Sequence, residues 1–67
     1  MTNRIKIARA EHDLTQEDLA KRIGVSRQTI NSIEKNRYVP STVLALKMAH
    51  VFSRPCEQLF ALTEEDW

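Results

Sequence analysis

A single glycine serves the whole 67-residue chain, and it stands between two stretches that each have the pattern of a short amphipathic helix. In LTQEDLAKRIGVSRQTINSIEKNR, Leu14 to Arg37, the first stretch carries Leu19, Ala20 and Ile23 on one face, and the second carries Ile30 and Ile33. A helix can end and turn sharply at a residue that accepts positive φ, and glycine does so without steric cost. Gly24 therefore marks the turn. Ala20, four residues earlier, is small where two helices crossing near a turn approach most closely, and Val25 returns an apolar side chain onto the pair. The start signals agree. Thr15 and Asp18 have capping-box spacing, and Ser26 is placed to cap the second helix. Asn36 follows that helix, as the next best residue after glycine for a left-handed C-terminal position. This spacing is that of a helix-turn-helix.

Projecting the second helix at 100° per residue turns Ile30 and Ile33 inward. Gln28 and Lys35 then point away from the core, Asn31 and Ser32 lie on either side of that line, and Arg27, Thr29 and Glu34 fall on the flanks. Any amphipathic helix shows a polar outer face. This one is short and amide-rich. Its amides can pair with adenine, arginine with guanine, and serine with several groups of a major-groove edge. Charge is distributed to match. The net charge is only +1, but residues 21–37 hold five basic groups and one acidic, against −1 for residues 1–20 and −2 for residues 38–67. The positive block coincides with the helix pair, as a phosphate-facing surface requires.

The flanking sequence supplies three more helices. Asn3 is placed to cap a first helix over Arg4 to His12, with Ile5 and Ala8 inward, Ile7 on the flank and Leu14 closing the end after Asp13. Pro40 ends the loop RYVPS and Ser41 caps the next helix, which runs to Phe52 with Leu44, Ala45, Met48, Ala49 and Phe52 at core spacing. Ser53-Arg54-Pro55 breaks it, and Pro55 suits the first turn of a last helix, Cys56 to Phe60. Leu46, Leu59, Phe60, Leu62 and Trp67 are either core or a dimer seam formed by residues 53–67. Phe60 to Thr63 are also compatible with a strand against the N-terminus.

Other functions find little support. Sixty-seven residues allow one small domain, spanning 1–67, of marginal stability alone. No stretch has the pattern of a signal peptide or the ~20 apolar residues of a membrane span. A lone Cys56 forms no internal disulfide, which suits the cytoplasm. His12, His50 and Cys56 lack metal-ligand spacing, one glycine rules out a glycine-rich phosphate loop, and no catalytic constellation is present. The chain is thus expected to be no enzyme, to need no cofactor or metal, and to take no small-molecule ligand.

The pattern Leu14-Thr15-Gln16, Leu19-Ala20, Gly24-Val25-Ser26, Ile30, Ile33-Glu34 and Pro40-Ser41 resembles the Xre/Cro-type helix-turn-helix of phage and bacterial repressors, and the likeness extends over nearly the whole chain. The resemblance implies a compact, all-α, five-helix lambda-repressor-like domain that binds double-stranded DNA as a homodimer on a palindromic operator and represses. It implies base reading by Arg27, Gln28, Asn31 and Ser32. Phosphates would be held by Gln16, which would also brace Gln28, by the capped helix starts at Thr15 and Ser26, and by Lys35, Asn36 and Arg37, and Arg27 would serve either a base or a phosphate. Lys35 and Arg37 read equally well as solvated charges. It further implies an ion pair between Arg9 and Glu34. The dimer candidates are Leu46, Leu59, Phe60 and Leu62. Asp13 stands where the family usually has glycine. A protein-interaction module or an antitoxin-type regulator on the same fold is the alternative, because fold alone does not fix function.

Overall fold

The computed structural model describes residues 1–67. Strand β1 (Thr2–Asn3) is followed by helices α1 (Ile5–Glu11), α2 (Gln16–Ile23), α3 (Arg27–Glu34), α4 (Thr42–Phe52) and α5 (Cys56–Leu59), then strand β2 (Phe60–Ala61) and a 3₁₀ turn at Glu64–Asp66. The architecture is five helices with one two-stranded antiparallel pair, in register Thr2 with Ala61 and Asn3 with Phe60.

Local chemistry sets most of these boundaries. Thr15 and Asp18 form the full capping box at the start of α2. Ser26 caps α3 through the Thr29 amide and Ser41 caps α4 through the Leu44 amide. Gly24 ends α2 in the left-handed region at φ 75°. Three non-glycine residues share that region: Asp13 at 54°, Asn36 at 60° and Ser53 at 52°. Asp13 and Asn36 are tolerated because a short polar side chain can stabilise the conformation locally. Ser53 turns the chain out of α4, so the break expected before Pro55 begins in the backbone of Ser53 itself.

Ten residues are fully buried, and they draw on every helix: Ile5, Ala8, Leu19, Ala20, Ile23, Ile30, Ile33, Met48, Phe52 and Leu59. α2 and α3 pack closely on each other, with Ala20 sealed between them. Leu44 and Ala49 are only partly buried, and Ala45 is half-buried. α4 is apolar nearly all round, and its periodicity alone could not say which stripe faces inward. Val43 and Leu46 remain 61% and 58% exposed on its outer side.

Three expectations change. α1 begins at Ile5 with Arg4 at the cap position, and Asn3 belongs to β1, although its Oδ1 still accepts from the Ile5 amide at 3.2 Å. α5 stops at Leu59, and Phe60 enters β2. Leu59 is 1% exposed within the core, so it is spent inside the protomer and cannot contribute a seam between two. Phe60 is half-buried, whereas Leu62 is 62% exposed.

Candidate nucleic-acid interface

α3 stands as a ridge between two recesses. On one side Ser26, Gln28, Thr29, Ser32, Arg37 and Tyr38 line a shallow polar hollow of about 350 Å³. On the other, Arg9, Gln16, Asn31, Glu34 and Lys35, with Arg4 and Lys6 opposite, line a groove of about 450 Å³ between α1 and α3. Arg27 and Gln28 are exposed on the ridge, with Asn31 and Ser32 half-buried on its shoulders. None of the four is part of the buried core, and the side chains of Arg27, Gln28 and Ser32 make no hydrogen bond within the chain, whereas Asn31 Oδ1 accepts one from Gln16.

Both ends of the ridge are fixed. At its start the Ser26 Oγ accepts from the Thr29 amide at 3.1 Å and shares a bond with the Thr29 hydroxyl at 3.0 Å. At its end the Asn36 N–H donates to the Ile33 carbonyl at 3.0 Å and the Arg37 N–H to the Ser32 carbonyl at 2.9 Å, which closes the helix and aims the next residues outward. Lys35, Asn36 and Arg37 are exposed there. Asn3 completes the closure. Its Nδ2 donates to the Ile33 carbonyl at 2.8 Å and to Asn36 Oδ1 at 3.0 Å. Nothing in the sequence signalled this role, because the partners lie 30 and 33 residues away and Asn3 read as an ordinary helix cap.

The structure brings together the ion pair that the resemblance implied. Arg9 Nε donates to Glu34 Oε2 at 2.6 Å and Nη2 to Oε1 at 3.1 Å, while Nη1 donates to the Leu14 carbonyl at 3.0 Å. The two side chains are 14% and 8% exposed. This pairing of planar groups ties α1 to α3 and sets the rotation of the ridge.

Gln16 does not reach Gln28. Its Nε2 donates to Glu34 Oε1 at 3.2 Å and to Asn31 Oδ1 at 3.3 Å. The reason is the carboxylate, which is a stronger acceptor than a neutral amide and lies on the inner flank of α3, whereas Gln28 is on the outer face. Thr15 is likewise committed. Its hydroxyl accepts from the Asp18 amide and its own N–H donates to Asp18 Oδ2, both at 3.0 Å. The N–H bond of Thr15, then its hydroxyl, holds the Asp18 carboxyl below its ordinary pKa of 3.8. At this helix start, the first-turn amides of Gln16 and Glu17 are those without an intrahelical acceptor, and they are the groups suited to a phosphate.

The positive block divides in space. Arg22 turns toward α4, where it borders an apolar groove with Val43, Leu46, Lys47 and His50. Lys47 Nζ donates to the Ile23 carbonyl at 3.2 Å and so closes the end of α2. Arg27, Lys35 and Arg37 remain with the ridge. No group of His, Cys, Asp and Glu is arranged to hold a metal ion, and no helix is long and apolar enough to cross a membrane.

The helix-turn-helix family matches residues 5–59. The chain belongs to that family. An HTH-type transcriptional regulator of Methanocaldococcus jannaschii is 52% identical over 66 residues, covering 98% of this chain and all of the relative. An HTH-type transcriptional regulator of Bacillus subtilis is 47% identical over 66 residues, with the same coverage of 98% and 100%. Among solved structures, a protein from Bacteroides fragilis described as DNA-binding superposes with a TM-score of 0.78 at 34% identity, over 87% of this chain and 94% of that one.

Proposed function

We propose that residues 1–67 act as one domain that binds double-stranded DNA in a sequence-specific manner and regulates transcription as a repressor, with two copies on a palindromic operator. The single observation that carries this reading is the α3 ridge. Four polar side chains, Arg27, Gln28, Asn31 and Ser32, project from a helix locked at both ends, with Lys35 and Arg37 beyond it. Base edges specify and phosphate contacts position. Here Arg27, Gln28, Asn31 and Ser32 serve the first role, and the α2 start, Ser26, Lys35, Asn36 and Arg37 the second. The names of the relatives, transcriptional regulators and a DNA-binding protein, support the same class of function. The work is that of a binding protein without cofactor, in the cytoplasm where the DNA is.

The dimer rests on Leu46 and Leu62, which are more than half exposed, with Phe60 beside Leu62. A symmetric pair would set its two ridges about 34 Å apart, one turn of the double helix. Selection of binding sites from random double-stranded DNA at near-physiological salt tests all of this. The expected result is an enriched palindrome with half-sites one turn apart. A single enriched half-site would retain DNA reading and remove the dimer. Weak, salt-sensitive binding with no enriched sequence would overturn the reading in favour of a protein-interaction module.

A further inference from the structure

The hydrogen-bond chain that ends on Asn31 has a direction, and the direction is decided by chemistry. Glu34 is a carboxylate that accepts only, and Arg9 donates to both of its oxygens. The Gln16 atom 3.2 Å from Glu34 Oε1 must therefore be the amide nitrogen. An amide nitrogen has two hydrogens and no acceptor capacity. The Asn31 atom 3.3 Å from that same nitrogen must in turn be its oxygen. One hydrogen of Gln16 goes to Glu34 and the other to Asn31, which spends the whole donor capacity of Gln16 inside the protein. Asn31 is left with its oxygen held inward. Its Nδ2 makes no hydrogen bond within the chain, on the half-buried shoulder of the ridge.

We infer that Asn31 meets DNA as a donor only, and so is satisfied by a base whose major-groove edge carries an acceptor, guanine N7 or O6, thymine O4 or adenine N7, and rejects cytosine, whose edge carries only an amino group. This differs from the usual reading by asparagine, in which oxygen and nitrogen together bracket adenine. Arg9, Glu34 and Gln16 touch no base. They are positioning residues that set which end of the Asn31 amide faces outward. The inference rests on the DNA-reading role proposed above for α3.

The test is binding-site selection with the wild type, Asn31→Ala, Gln16→Met and Gln16→Glu. In the wild type, one position per half-site should disfavour cytosine against guanine by roughly 5-fold, the low end of the range because the contact is not bidentate. Asn31→Ala should level that position alone. Gln16→Met keeps the length of the side chain but offers no hydrogen, so the Asn31 amide is free to turn its oxygen outward and cytosine becomes acceptable there. Gln16→Glu offers only acceptors, so it should draw Nδ2 inward, turn the oxygen out and invert the preference to amino bases. If the added carboxylate beside Glu34 unfolds the chain, as judged by circular dichroism, Gln16→Met decides the matter. The inference is overturned if the wild type prefers cytosine at the position that Asn31→Ala levels, or if that position does not respond to Gln16→Met. It is also overturned if Asn31→Ala weakens binding to all sequences equally with a smaller salt slope, which would put the donors on a phosphate. Absence of any enriched site with the wild type would instead overturn the DNA reading itself.

Discussion

Replacing Arg9 by methionine while leaving Glu34 in place should come close to unfolding the protein. Glu34 is 8% exposed and receives three donors, two from Arg9 and one from Gln16. The substitution keeps an apolar stem of similar length and removes the charge, so a buried carboxylate is left with one neutral amide. Removing one partner of a buried pair costs about 3–5 kcal/mol. The lost bond to the partly buried Leu14 carbonyl adds about 0.5–1.5 kcal/mol. A domain of this length has roughly 3–10 kcal/mol in all. In a 60–100-residue domain each kcal/mol moves the melting temperature by about 4–8 °C, so a fall of at least roughly 12 °C is expected. Replacing both partners, Arg9→Met with Glu34→Met, removes the stranded charge and should recover most of the loss, because a buried pair is often no better than well-packed apolar residues. Chemical denaturation of the four proteins gives the coupling energy directly, and about 2–4 kcal/mol is expected. Single variants that each lose less than about 1 kcal/mol, with coupling within the ~0.5 kcal/mol scatter of independent sites, would refute the reasoning and reduce the pair to a surface contact.

The remaining expectations concern backbone, pH and DNA. Ser53→Gly should stabilise by about 0.5–1 kcal/mol, because Ser53 sits at φ 52° and its side chain makes no hydrogen bond. Gly24→Ala should destabilise by about 1–2 kcal/mol through φ 75° alone, since a Cβ there meets nothing within 4 Å; thermal melts read both signs. Asp18 has its folded pKa lowered from 3.8, so its contribution is present above that value and disappears as pH falls through the lowered one. The stability difference between wild type and Asp18→Asn should therefore shrink as denaturation is repeated from about pH 6 down to about pH 2, and a constant difference would contradict the capping-box account. Gln28→Ala should cost about 1–3 kcal/mol on the selected site and little on random DNA. Arg37→Ala should weaken both and reduce the salt slope by roughly 0.9 per site in filter-binding titrations.

Local chemistry made the helix pair legible. Thr15, Ser26 and Ser41 each cap within three residues, and Gly24 turns the chain at its own position, so a linear reading finds them. The ion pair of Arg9 with Glu34 came through family resemblance, since a separation of 25 residues carries no spacing signal. What stayed illegible depends on tertiary placement. Two strands of two residues are too short to show alternation, so the pairing of Thr2–Asn3 with Phe60–Ala61 remained one option among others. Arg22 and Arg27 belong to one charged block along the chain, but the turn at Gly24 sends Arg22 toward α4. Gln16 had several partners within reach along α3, and only the carboxylate of Glu34 decided between them. Leu59 and Leu46 looked alike as surplus apolar residues. One fills the core and the other faces outward, because α4 is apolar on more sides than one core can cover.

The clasp at the two ends has a mechanical consequence. β1 and β2 run antiparallel, so a load applied through the termini peels the pair apart one residue at a time, Thr2 from Ala61 first and Asn3 from Phe60 next. In an optical-trap experiment the load meets first the contact of the Met1 ammonium with Asp66 Oδ2, at 2.8 Å, and then this zipper. Its second tooth is Asn3, which also grips the Ile33 carbonyl and Asn36. The end of α3 would therefore lose one of its restraints while the ten buried side chains are still packed and the Asn36 and Arg37 amides and the Arg9–Glu34 pair still hold it.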